Sequence, residues 1–237
     1  MSAEQSGAER AAQNILEAEH LLDQRQPAAA ESLLREALGL EPDSAVALSK
    51  LGRALNNLGR LEDAEHALRR SVELEPQRAA AWFSLGHVLR ALGRLPDATG
   101  AAERAVSLGL GGDSRAVRLL ASIRMMSGDP DAAADLLQSA RASHPDDVAL
   151  AVDLADALRA TDRFDEAAAA YHDALLRDPG NPDALAGLGT VHHARLELDD
   201  AATSFRQALA RVPKHPVAET GLAWVLELIG DYQAALD

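Results

Sequence analysis

Apolar residues along this chain return at helical spacing, segment after segment. Between residues 45 and 57, Val46, Leu48, Leu51 and Leu55 lie three or four apart, and the pair Leu58-Gly59 follows. That spacing predicts a helix with one buried side, and a glycine just past it is a helix-ending signal. From Glu62 to Leu74 a second apolar stripe runs through Ala64, Ala67, Leu68 and Val72, and Pro76 closes it. Pro27 and Pro130 fall where further helices should start. A missing N–H costs little in a first helical turn.

The two-helix pattern repeats. Pro42, Pro76, Pro145, Pro179 and Pro213 are 34, 69, 34 and 34 residues apart. At that period one column reads Ala30, Ala64, Ala98, Ala133, Ala167, Ala201 and Ala235. Another reads Glu17, Leu51, Leu85, Leu120, Leu154, Leu188 and Leu222, and the residue after each is small. Small residues beside leucines let two helices approach closely. Self-similarity at this period predicts a stacked array rather than one globular core. The copies span residues 11–44, 45–78, 79–113, 114–147, 148–181 and 182–215, with a partial copy at 216–237 and a flexible lead at 1–10. The first copy departs most, with Asn14 and Glu17 where bulky apolar residues are expected.

Trp82, Leu85, Gly86, Leu89, Ala98 and Ala105 in the third copy, and Leu185, Leu188, Gly189, Ala201, Phe205, Ala208 and Pro213 in the sixth, carry a spaced pattern. It resembles the tetratricopeptide repeat, as found in the multi-repeat arrays of bacterial proteins. The resemblance covers nearly everything after residue 10. It implies an all-α fold, a right-handed α-solenoid of about seven helix-turn-helix repeats, acting as a protein-binding scaffold without catalysis of its own.

Composition fits. Hydrophobic residues make up 47% and aromatics only 3%, so the core must be mostly Ala and Leu, which suit helices. The net charge of −14 argues against general binding to nucleic acid or anionic membrane. No cysteine is present for a disulfide or thiolate site. No stretch approaches the roughly 20 apolar residues of a membrane span. The N-terminus lacks the basic-then-apolar order of a signal peptide, so the cytoplasm is the expected compartment.

Candidate chemistry is thin. Leu108 to Ser114 reads LGLGGDS, which looks like a phosphate cradle. It falls, however, where other copies end in LEPDS or SHPDD, follows a helix instead of a strand, and lacks a Lys-Ser/Thr pair. It reads as a loosened joint between copies. His192 and His193 are adjacent, so on a helix they point about 100° apart and do not share an ion. No G-x-S-x-G or H-E-x-x-H occurs. No cofactor, metal or catalytic site is expected.

In the resembled family the first helix of each repeat lines a concave groove. Its second, fifth, sixth, ninth, twelfth and thirteenth residues point inward. In copies two to four those places hold Lys50, Arg53, Asn57, Phe83, His87, Arg90, Arg115 and Arg118 among others, with five cations and no acid. Glu19 and Asp23 in the first copy, and Asp153, Asp156, Asp183 and Glu227 in the last three, make the ends acidic. A cleft of one sign concentrates ligands of the other, so the expected partner is an acidic peptide or protein. The carboxylate clamp of co-chaperone members does not carry over, because its places hold Ser49 and Arg53, Ser84, and Arg115 with Leu119. Trp224 also falls on the groove side, as a candidate anchor.

The last eight residues, GDYQAALD, read as the first turns of a second helix in the seventh copy. An unfinished repeat leaves apolar surface half covered. Two expectations follow. The array self-associates there, or it is the substrate-recruiting arm of a longer enzyme. In similar bacterial proteins a sulfotransferase, glycosyltransferase or dioxygenase domain follows such an array.

Overall fold

The computed structural model describes residues 3–109 and 114–234, with side chains between 6 and 230. Thirteen α-helices and no strands occur among them. They are α1 (Ala3–Asp23), α2 (Pro27–Leu40), α3 (Ala45–Asn57), α4 (Leu61–Leu74), α5 (Ala79–Ala91), α6 (Leu95–Ser107), α7 (Ser114–Met126), α8 (Pro130–Ser143), α9 (Val148–Ala160), α10 (Phe164–Arg177), α11 (Pro182–Ala194), α12 (Leu198–Arg211) and α13 (Pro216–Ala234). The fold class is an all-α solenoid of helix pairs. Of the LGLGGDS stretch, residues 110–113 lie outside the described residues, as do 235–237. α1 begins at Ala3, so helix already covers residues expected as a flexible lead.

Helix starts are chemically marked. The side chains of Ser44, Asp147 and Asn181 accept N–H groups from the first turns of α3, α9 and α11. His215 does the same for α13, its Nδ1 accepting from Ala218 N–H at 3.3 Å while Nε2 donates to Asp183 at 3.0 Å. Such caps satisfy orphan donors.

Each turn within a helix pair uses one device. Past α3, Gly59 takes φ +74°, its N–H bonds to Asn56 O, and Arg60 N–H reaches back to Leu55 O. This double bond pattern closes a helix on a left-handed residue. Gly93 and Gly128 repeat it, but Arg25, Asp162 and Leu196 occupy the same place at φ 58° to 62° without being glycine.

Contacts divide the chain into two compact units, residues 1–123 and 124–237. In the first, α1 pairs with α2, α3 with α4 and α5 with α6, while α1 touches α3 and α3 touches α5. In the second, α9 pairs with α10 and α11 with α12, and α13 packs on both α11 and α12. The alanine column is the seam of both: Ala30, Ala64, Ala98, Ala133, Ala167 and Ala201 are all fully buried. Asn14 is buried despite its polarity, and its amide reaches Glu36 at 3.5 Å.

The end of the second unit corrects the reading of GDYQAALD. No turn interrupts the chain near Gly230, and α13 continues as one helix to Ala234. Breaking a helix forfeits backbone bonds, and burial of a following apolar stripe has to offset that loss.

Candidate functional site

The first helices of successive pairs in the first unit line a depression of about 420 Å³. Lys50 and Arg53 come from α3, Phe83 and Ser84 from α5, and Arg115 from α7. Glu19 and Asp23 of α1 also line it. Four of the predicted groove residues, Lys50, Arg53, Phe83 and Arg115, therefore meet in one place.

Its electrostatics differ from a bare basic patch. Lys50 Nζ lies 2.7 Å from Glu19, and Arg53 donates to Asp23 at 2.7 Å. Lys50 and Arg53 are thus each paired with a carboxylate of α1. Sequence register had put Glu19 and Asp23 in the groove, but not opposite particular cations. The missing signal is the offset between neighbouring inner helices: these partners are 31 and 30 residues apart, just short of one repeat.

The other predicted residues sit around this depression or away from it. His87 meets Phe83 edge to face, ring centres 4.7 Å apart. Burial, and then the charge of Arg90, push its pKa below the ordinary histidine range, so at neutral pH it is an uncharged ring. Arg90 donates to Ser122 Oγ at 3.4 Å. Arg118 is half-buried on α7, and Asn57 is exposed at the end of α3. Trp224 belongs to the second unit and is 60% exposed.

Around Trp224 lies a second depression of about 380 Å³, with apolar walls from Val217, Phe205 and Trp224 itself and Thr190 and His193 on α11. Phe205 reaches it from α12 because Gly189 and Gly221 leave room. A Cβ on Gly189 would come 2.7 Å from the ring, and one on Gly221 would collide with it as well. Tyr171 does the same above Gly187. Its hydroxyl donates to Asp156 at 2.6 Å and accepts from Arg159 at 3.4 Å. Burial, together with the Asp156 charge, holds this phenol above its ordinary range. Neither ring reads as a groove element from sequence, because both stand on the second helix of their pair.

Among the described residues, His192, Glu197 and Asp200 form one group with metal-ligand atoms within 4.8 Å of each other. His192 Nδ1 is already engaged by Glu197 at 2.5 Å, and His193 is not part of the group. No described helix is long and apolar enough to cross a membrane.

Comparisons with known proteins agree on one family. Two tetratricopeptide repeat patterns match, one at residues 21–85 and 124–190 and the other at 84–148 and 194–237. By sequence, the chain has no significant match among curated proteins. By structure it is similar to PilW, described as a widely conserved type IV pilus biogenesis factor, with TM-score 0.80 and 16% identity over 90% of this chain and 98% of that one. PilF of Pseudomonas aeruginosa gives TM-score 0.78 and 19% identity over 92% and 99%. YrrB, described as a TPR protein with an unusual peptide-binding site, gives 0.61 and 21% over 79% and 96%.

Proposed function

We propose, from the premise that this chain belongs to the tetratricopeptide repeat family, that it is a protein-interaction scaffold. Its first unit takes an extended peptide with acidic character on the inner side of α1, α3, α5 and α7. The observation that carries this reading is the depression of about 420 Å³, which Lys50, Arg53 and Arg115 line together with Phe83. A guanidinium forks onto a carboxylate, and an aromatic floor takes an adjacent apolar side chain.

The test is binding of a labelled acidic peptide, read by anisotropy. Arg53→Gln with Arg115→Gln should weaken binding at least about tenfold, since a charge-assisted hydrogen bond contributes about 1.5–3 kcal/mol. Circular dichroism should show unchanged helix content. Unaltered affinity in the double variant would remove the site from this depression.

A further inference from the structure

The second unit carries an oppositely charged surface that the peptide-binding reading above does not use. Residues 124–237 contain nine Lys and Arg against twenty Asp and Glu, so they hold −11 of the chain's −14 charge. By the repeat register of the family, the inward positions here hold the acids Asp153, Asp156, Asp183 and Glu227. The cation among them, Arg159, is paired with Asp156 at 3.3 Å. Asp183 bonds His215, yet its side chain stays 72% exposed. Glu227 stands one helical turn beyond Trp224, is exposed, and makes no ion pair among the described residues.

In this acidic surrounding the Trp224 depression is apolar. Phe205 forms its floor, and an indole and Val217 form its walls. The floor exists because Gly221 has no side chain, since any Cβ there would collide with the Phe205 ring. Trp224, at 60% exposed, and Val217, at 51%, are left facing solvent. Phe205 itself is buried at 1% exposure, so an exposed tryptophan and Val217 over its ring give the slot its accessible apolar surface, the make-up of an interface anchor. The net charge of −11 on these residues selects what approaches, because like charges repel and opposite charges steer.

We propose that this slot docks a basic segment of a partner protein. One bulky apolar side chain of that segment sits against Trp224 and Val217, over the buried Phe205, and its flanking lysines or arginines face Glu227 and Asp183. This surface has the opposite charge preference to the first-unit depression and is independent of it.

The experiment uses the full chain and a fluorescent synthetic peptide of lysine, glycine and serine with one central leucine. Anisotropy should show saturable binding at low salt. Trp224→Ala and, separately, Glu227→Lys should each weaken it at least about tenfold, as should replacing the leucine by glycine. Both side chains are exposed, so the variants should keep their helicity, and either serves if the other fails to fold. Arg53→Gln with Arg115→Gln should leave this binding intact, which separates the proposal from the first-unit reading. Absence of binding overturns it. So does equal binding by Trp224→Ala, or by the peptide lacking leucine, because attraction would then come from net charge alone.

Discussion

At the residue scale, one volume is shared between two positions in successive repeats. The large residue on the second helix of a pair and the sixth residue of the next repeat compete for it. Tyr171 fills it above Gly187, and Phe205 fills it above Gly221. Where the second helix offers only Ala102, Leu119 of the next repeat takes the space instead, reaching within 3.2 Å of a Cβ built on Gly86. Gly187→Ala should therefore cost about 1–3 kcal/mol, the usual penalty of overpacking. In a Tyr171→Leu background the same change should cost much less. Chemical denaturation of the four variants measures this coupling, and additive losses would mean that the two residues do not share the space. The left-handed positions show a similar exchange. Arg25, Asp162 and Leu196 stand where glycine serves elsewhere, so the turn geometry is set by helix packing and tolerates a residue that prefers another conformation.

At the element scale, second helices are tied by arginine and glutamate from one repeat to the next. Arg60 bonds Glu31 of the preceding pair at 2.8 Å and Asp63 of its own at 2.5 Å. Arg94 repeats this with Glu65 at 2.6 Å and Asp97 at 2.5 Å. Burial alone would raise the pKa of Glu31, but hydrogen bonds and charge from Arg35 and Arg60 outweigh it, and the net shift is downward. Glu65, between Arg69 and Arg94, behaves alike. A carboxyl with a depressed folded pKa stabilises the fold above its unfolded value and loses that contribution as pH falls through the folded one. Thermal stability of the first unit should accordingly drop as pH falls below about 4.5, the ordinary value for these groups. Glu31→Gln with Glu65→Gln should lower stability at neutral pH and flatten the acid limb. An acid limb unchanged in the double variant would place the responsible carboxylates elsewhere.

At the scale of the whole molecule, charge governs encounter more than it governs fold. A chain of net charge −14 repels an acidic peptide at long range even where Lys50, Arg53 and Arg115 line the site. It attracts a basic one. Salt shortens the reach of this field, to about 10 Å at 0.1 M. Raising salt should therefore speed association of the acidic peptide with the first unit and slow association of the basic peptide with the second. Stopped-flow association rates over a salt series measure both slopes. Slopes of the same sign would mean that one of the two charge assignments is wrong.

The sequence by itself determined the elements and their period. Helical spacing, stop prolines and the buried alanine seam are local or strictly periodic, and a stacked repeat makes the same local choice many times. Register, read through the family resemblance, also put Lys50, Arg53, Phe83, Arg115 and Trp224 on first helices of their repeats. Tertiary structure decided what each of them meets. The pairing of Lys50 with Glu19, and of Arg53 with Asp23, depends on the offset between neighbouring inner helices, which a single repeat does not encode. The reach of Tyr171 and Phe205 depends on a glycine in the following repeat. The uninterrupted α13 depends on the balance between backbone hydrogen bonds and burial, and sequence pattern reports only the burial half of it.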